Sequence, residues 1–191
     1  YEVDGVFTPI PWDLNEAFGN FTCGCNRAGI IGHLIDDPTC DAMATKPMAE
    51  RVLSDATALS QYHAYLSAFI AEGGPFSDAV IVARIEAASN LIRPYVEADT
   101  EKFYSTQNFE TSIHSDVANA IGLTTFVEER RAAIAAQLDG TMASSAGGAG
   151  SCANGVGGGG GGPGGGGGPG GGQNPKCPDG VCDAVEQANP G

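Results

Sequence analysis

Positive charge is scarce: the 191 residues carry 9 Lys+Arg against 23 Asp+Glu, a formal net charge of −14. A protein that follows a phosphate backbone needs a basic stripe to displace counterions, and the only adjacent cationic pair is Arg130-Arg131. Nucleic acid is therefore not an expected partner, and an anionic membrane surface is disfavoured for the same reason. Long apolar runs are also missing. No stretch approaches the roughly 18 to 20 apolar residues that cross a bilayer, so no transmembrane segment is expected, and the first residues have neither the cationic start nor the apolar core of a leader. The chain opens at Tyr1-Glu2-Val3 without Met or a linker, as a strand cut from something upstream would, and is read as a fragment.

Glycine is abundant but unevenly placed, with 20 of the 29 lying between Gly147 and Gly191. Two materials follow. Residues 1–140 have the composition of one folded domain, large enough to bury its own core. Residues 141–175 are Ser/Ala/Gly and then Gly/Pro, with few side chains to bury, and are expected to be a flexible tether. Residues 176–191 hold Cys177 and Cys182 in an acidic setting and are read as the start of a Cys-rich module.

Within the first part, the alternation of Tyr1, Val3, Val6 and Phe7 about Asp4-Gly5 predicts two strands joined by a tight turn. Residues 12–45 lose periodicity and predict a long irregular segment. Residues 46–140 then predict about five helices. Pro47 suits a first helical turn, and Leu59, Tyr62, Leu66, Phe69 and Ile70 form a stripe that stops at Gly73-Gly74. Ser77 is an expected N-cap for a helix carrying Ile81, Ile85, Leu91 and Tyr95, with Pro94 expected to kink or shorten it. A shorter amphipathic piece spans residues 103–117, and Thr125-Phe126-Val127-Glu128 reads as a capping box before a last helix that stops at Gly140. The fold class expected is α+β: a hairpin, an irregular segment and a mainly helical remainder.

The string Ile10-Pro11-Trp12-Asp13-Leu14-Asn15-Glu16-Ala17-Phe18-Gly19 carries the most chemistry. Asp13 and Asn15 leave a strand end at i and i+2, which in an extended backbone points two hard oxygen donors to one face. Mg²⁺ suits such a pair, because it takes one or two protein oxygens and completes its shell with phosphate and water. The competing reading makes Asp13 a cap on the following turn and Trp12 a core residue.

PWDLNEAFGNF (11–21), followed by IDDPTC, GPFSD, LIRPYVEAD, KFYS and FVEERRAAIAAQL, resembles the C-terminal part of the CotH-type spore-coat kinases, atypical bacterial protein kinases. The resemblance covers residues 1–140 and implies a C-lobe of an atypical kinase-like fold. It implies that Asp13 holds the Mg²⁺ that bridges the phosphates of ATP, as the metal-binding Asp of ordinary kinases does, with Asn15, where many members have Asp, as a second and uncharged donor. Trp12 and Phe18 would pack the loop that presents them. It further implies that the phosphate-binding Lys and the catalytic base lie upstream, so that this chain alone is inactive. The protein substrate would be a Ser/Thr protein of a cell surface or coat. The alternative is a non-catalytic extracellular coat-assembly or adhesion domain of the same fold.

Cys23, Cys25 and Cys40, with His33 between them, admit a disulfide of Cys40 with Cys23 or Cys25, a zinc site, or free thiols. Cys-x-Cys is tighter than usual zinc spacing, and a secreted or surface location favours disulfides. Cys152, Cys177 and Cys182 are left unassigned. The tail Cys-Pro-Asp-Gly-Val-Cys-Asp resembles the opening of small calcium-binding extracellular modules of the Notch-repeat sort, which makes Asp179, Asp183 and Glu186 candidate Ca²⁺ ligands. Asp36, Asp37 and Asp41 flank Pro38 and offer a second carboxylate near Asp13, although Asp-Asp-Pro is first a turn signal. His63 and His114 are expected to be surface or hydrogen-bond-satisfied residues, and Arg130 and Arg131 to pair with Glu128 and Glu129 on an exposed face.

Overall fold

The computed structural model describes residues 2–8, 10–12, 14–118 and 120–152, apart from the side chain of Phe7. Asp13 and the tail carrying Cys177, Asp179, Cys182, Asp183 and Glu186 therefore lie outside the described residues. The chain opens with a ribbon of two two-residue strands, β1 (Glu2–Val3) and β2 (Val6–Phe7), antiparallel with Glu2 opposite Phe7 and Val3 opposite Val6. Asp4 and Gly5 both have positive φ, 52° and 79°, which is the turn that an Asp-Gly pair favours because it matches the twist of the flanking strands.

The rest is mainly helical. Six α-helices are described: α1 (Arg27–Ile31), α2 (Pro47–Ser54), α3 (Ala56–Ile70), α4 (Asp78–Ala98), α5 (Thr106–His114) and α6 (Leu123–Leu138). Three of them, α1, α3 and α5, start after short polar side chains that take up orphan amides: Asn26 accepts from Gly29 N, Asp55 from Ala58 N and Ser105 from Asn108 N, at 2.9, 2.8 and 3.0 Å. Pro47 stands at the first position of α2, as expected.

Three local expectations are corrected. Ser77 occupies the N-cap position of α4, but its hydroxyl donates back to Gly74 O at 2.8 Å and caps no amide. Of the two effects expected of Pro94, shortening does not occur, since α4 runs on to Ala98. Asn90 and Pro94 are both exposed, so the Asn90 carbonyl that loses its helical donor is open to water. The capping box at Thr125 does not form: α6 starts earlier, with Gly122 at its N-cap, and the Thr125 hydroxyl bonds His114 O at 2.9 Å instead.

The core sits where α4, α5 and α6 meet. Ile85, Ile113 and Val127 are buried together, with Phe18, Phe76, Ile81, Phe109 and Leu123 packed around them. Helix α6 is central, touching α1, α3, α4 and α5, which is why Val127, Ala133, Ile134 and Gln137 are all buried. The expected stripe on α4 is only half realised: Ile81 and Ile85 face the core, while Leu91 and Tyr95 are exposed.

Residues 141–152, expected to open the tether, are instead packed onto the irregular segment. Backbone bonds run from Asp36 N to Ser144 O, Met43 N to Gly148 O and Ser151 N to Thr39 O, at 2.8, 2.9 and 2.8 Å. Gly150 is needed there, because a Cβ would stand 2.2 Å from Asp41 O and its φ is +88°.

Candidate functional site

The loop after the ribbon folds by local hydrogen bonds. Leu14–Glu16 form a 3-10 turn, Phe21 N donates to Glu16 O at 3.2 Å, and Asn20 Nδ2 donates to Asn15 O at 3.0 Å. The loop is pinned at its far end. Phe18 and Gly19 have φ of 58° and 80°, and the Phe18 ring meets Phe126 edge-on with centroids 5.8 Å apart. A side chain at Gly19 would stand 2.6 Å from Ile30 Cγ2 and 3.0 Å from Phe126 Cε2, so only glycine lets the loop lie against α1 and α6.

Asn15 is exposed, with Nδ2 3.4 Å from Glu16 Oε1, and its amide oxygen accepts no hydrogen bond from the described residues. Asn15 and Phe18 border an open cleft of about 520 Å³ whose wall is mostly apolar, with Ile85, Ile92, Phe109 and Ile121 among its residues and Arg84 at its edge. Hard oxygen donors fit Mg²⁺, so Asn15 and the adjoining Glu16 carboxylate have suitable donor chemistry. Arg84 is marked by no motif, and nothing in the sequence brings it to this cleft. Phe18 packs the loop as expected. Trp12 does not: it is 83 % exposed, and the reading of Trp12 as a core or packing residue is corrected.

The aspartates around Pro38 are otherwise engaged. Asp36 Oδ1 lies 2.6 Å from His63 Nε2, so His63 is a satisfied residue, one of the two states expected of it. Asp37 is buried and accepts from Ala146 N, Gly148 N and the Ser145 hydroxyl at 2.6, 3.0 and 3.2 Å. Asp41 is exposed, 3.8 Å from Lys46 Nζ. A buried carboxylate bonded to backbone amides is an anchor, and Asp37 anchors residues 145–148.

Arg130 and Arg131 also depart from expectation. Half-buried Arg130 donates through Nη1 to Ile31 O and His33 O at 2.9 and 2.6 Å, and Arg131 bonds Ile70 O and Asp78. Glu129 instead pairs with Arg27, whose guanidinium also holds Asp116, each at 2.7 Å. That guanidinium, with the Gly122 amide, holds the Asp116 carboxyl below its usual range. Burial, followed by the charge of Arg130, pushes the His33 imidazole below its usual value. Burial raises the Tyr62 phenol, and the Asp36 carboxylate adds to the rise. His114 Nε2 lies 3.1 Å from Glu86 Oε1.

Cys23 is bonded to Cys40, one of the two pairings expected, and Cys25 is bonded to Cys152. Sequence reasoning left Cys152 without a partner. Its signal was the even cysteine count, which gives each thiol a potential mate.

The CotH kinase protein family matches residues 1–134. The chain belongs to this family. No curated protein and no solved structure matches it. The match spans the CotH chain from its ribbon through most of α6 and stops before residues 141–152, so the Cys25–Cys152 bridge ties the family region to the segment that follows it. Among the described residues of the CotH chain, no helix is long and apolar enough to cross a membrane.

Proposed function

We propose that this chain is the C-terminal part of a CotH-type atypical protein kinase, which transfers the γ-phosphoryl group of ATP to Ser or Thr of a surface or coat protein. The family match over residues 1–134 carries the reading. The pinned loop supports it, because Phe18 and Gly19 fasten the Trp12–Gly19 string to the helical body beside a cleft bordered by Asn15 and Arg84. In this reading Asp13 and Asn15 hold Mg²⁺, and the metal neutralises charge on the transferring phosphate. Arg84 offers a cation to an anionic ligand. The phosphate-binding Lys and the base come from an upstream lobe, so the present chain is inactive alone. Two disulfides suit an oxidising, extracellular setting. A Ca²⁺ site at Asp179, Asp183 and Glu186 belongs to the same proposal.

One feature favours the non-catalytic alternative: Asn15 brings no charge to the metal, and a coat-assembly or adhesion domain would tolerate that loss. Isothermal titration of Mg·ATP into the intact protein with its upstream lobe, and into its Asp13→Ala variant, separates the two. The kinase reading expects binding heat that the variant loses. Equal heats would remove Asp13 from the site, and no heat from either would leave the adhesion reading.

A further inference from the structure

Four cysteines from three separate parts of the chain converge on one histidine. A sulfur of Cys23, a ring nitrogen of His33 and a sulfur of Cys152 all lie within 4.8 Å of one another, and Cys40 and Cys25 are each bonded to one of those sulfurs. Thiolates bound tetrahedrally at the usual zinc–sulfur distance stand about 3.8 Å apart, so shifts of about 1 Å would bring these atoms onto a single ion. We propose that this cluster is a redox-gated zinc site: closed by two disulfides when oxidised, and coordinating Zn²⁺ through Cys23, His33, Cys152 and one of the released thiols, Cys40 or Cys25, when reduced.

The histidine is prepared for that role. The Ser151 hydroxyl donates its one proton to Asp37 O at 2.7 Å and accepts from Leu34 N at 3.0 Å, while His33 Nδ1 lies 3.0 Å away. All of these groups are satisfied together only when Nδ1 carries the ring proton and gives it to the second hydroxyl lone pair. Nε2 is then the unprotonated nitrogen, and it is the atom through which His33 would bind the metal in this proposal, with Nδ1–H held in the hydrogen bond typical of ligating imidazoles. The placement of His33 does not depend on the disulfides, because its carbonyl accepts from Arg130 and, at 3.3 Å, from Gln137 of α6.

The chemistry balances with a dithiol as the reductant. Each cystine takes two electrons and two protons from one dithiol, which leaves as a cyclic disulfide, so opening both bridges consumes two dithiols and yields four thiols. Zinc then displaces a proton from each of its three thiol ligands, while the neutral imidazole loses none. Soft thiolates with imidazole select zinc over the hard cation proposed for Asp13 and Asn15.

The test uses the 191-residue chain carrying Cys177→Ser and Cys182→Ser, so that tail thiols cannot contribute. Oxidised protein and protein reduced with dithiothreitol, then desalted without oxygen, are titrated with Co²⁺ as a spectroscopic stand-in for zinc. The reduced form should take up one ion per chain, with thiolate-to-cobalt charge-transfer bands and tetrahedral d–d bands, and the oxidised form none. Zinc should raise the Tm of the reduced form only. Cys152→Ser should weaken binding but also removes a bridge, so His33→Ala, which keeps both disulfides, is the decisive variant. It should weaken cobalt binding at least about tenfold and shift the d–d bands. Equal uptake by the oxidised form, no uptake by the reduced form, or His33→Ala binding as the parent does would overturn the proposal.

Discussion

Gln137 lies on the central helix, almost wholly buried, and satisfies three backbone groups of the loop beside it. Its Oε1 accepts from Ile35 N at 2.8 Å, and its Nε2 reaches Gly32 O and His33 O at 3.3 Å. A polar residue there reads as a break in an apolar stripe, yet the loop it faces has a buried amide at Ile35 and half-buried carbonyls at Gly32 and His33. Gln137→Leu should cost about 1–3 kcal/mol in urea unfolding, because it leaves Ile35 N and Gly32 O without the partner that Gln137 supplies, while His33 O keeps Arg130. The Asp116 carboxylate shows a different effect. Arg27 and the Gly122 amide lower its folded pKa beneath its unfolded one, so the stability it lends is complete above about pH 4 and lost as pH falls through the folded value. Asp116→Asn should therefore lower the Tm at neutral pH and flatten its fall on the acid side, as thermal melts from pH 7 to pH 2 would show.

Helices α2, α3, α5 and the opening ribbon were legible in the sequence because local rules set them: Asp-Gly for the turn, Pro47 for a first turn, and half-buried Leu59, Tyr62, Leu66 and Ile70 along one face of α3. The start of α6 and the intact passage of α4 through Pro94 were not, since each depends on what lies alongside. Helix α6 touches four other helices, so its buried residues do not line up as a single stripe. Arg130 and Arg131 looked like solvent-facing charges for the same reason, although their partners are loop carbonyls from far along the chain. The candidate metal loop was legible in composition and in its resemblance, while Arg84 and the cleft emerged only from tertiary packing. Ile113, which is 2 % exposed between α4 and α6, tests that packing: Ile113→Ala should cost about 2–5 kcal/mol in denaturant unfolding, against little for exposed Leu91→Ala.

The folded region reaches past the helices to Cys152, because Asp37, Ser151 and the Cys25–Cys152 bridge bind the segment after Gly140 to the segment before α2. Glycine-rich composition predicted a tether from residue 141, and composition cannot show that a buried carboxylate waits for those amides. Cys25→Ser together with Cys152→Ser should lower stability by about 2–5 kcal/mol, measured by guanidinium unfolding. The bridge spans a sequence separation of 127 and encloses every helix from α1 to α6. Tension pulling the chain apart from beyond residue 152 would pass through sulfur into residue 25 and out along the opening ribbon. The helices would hang beside that line of force and stay folded under loads that would otherwise unravel them, so a stretching experiment should recover their contour length only after the bridge is cut.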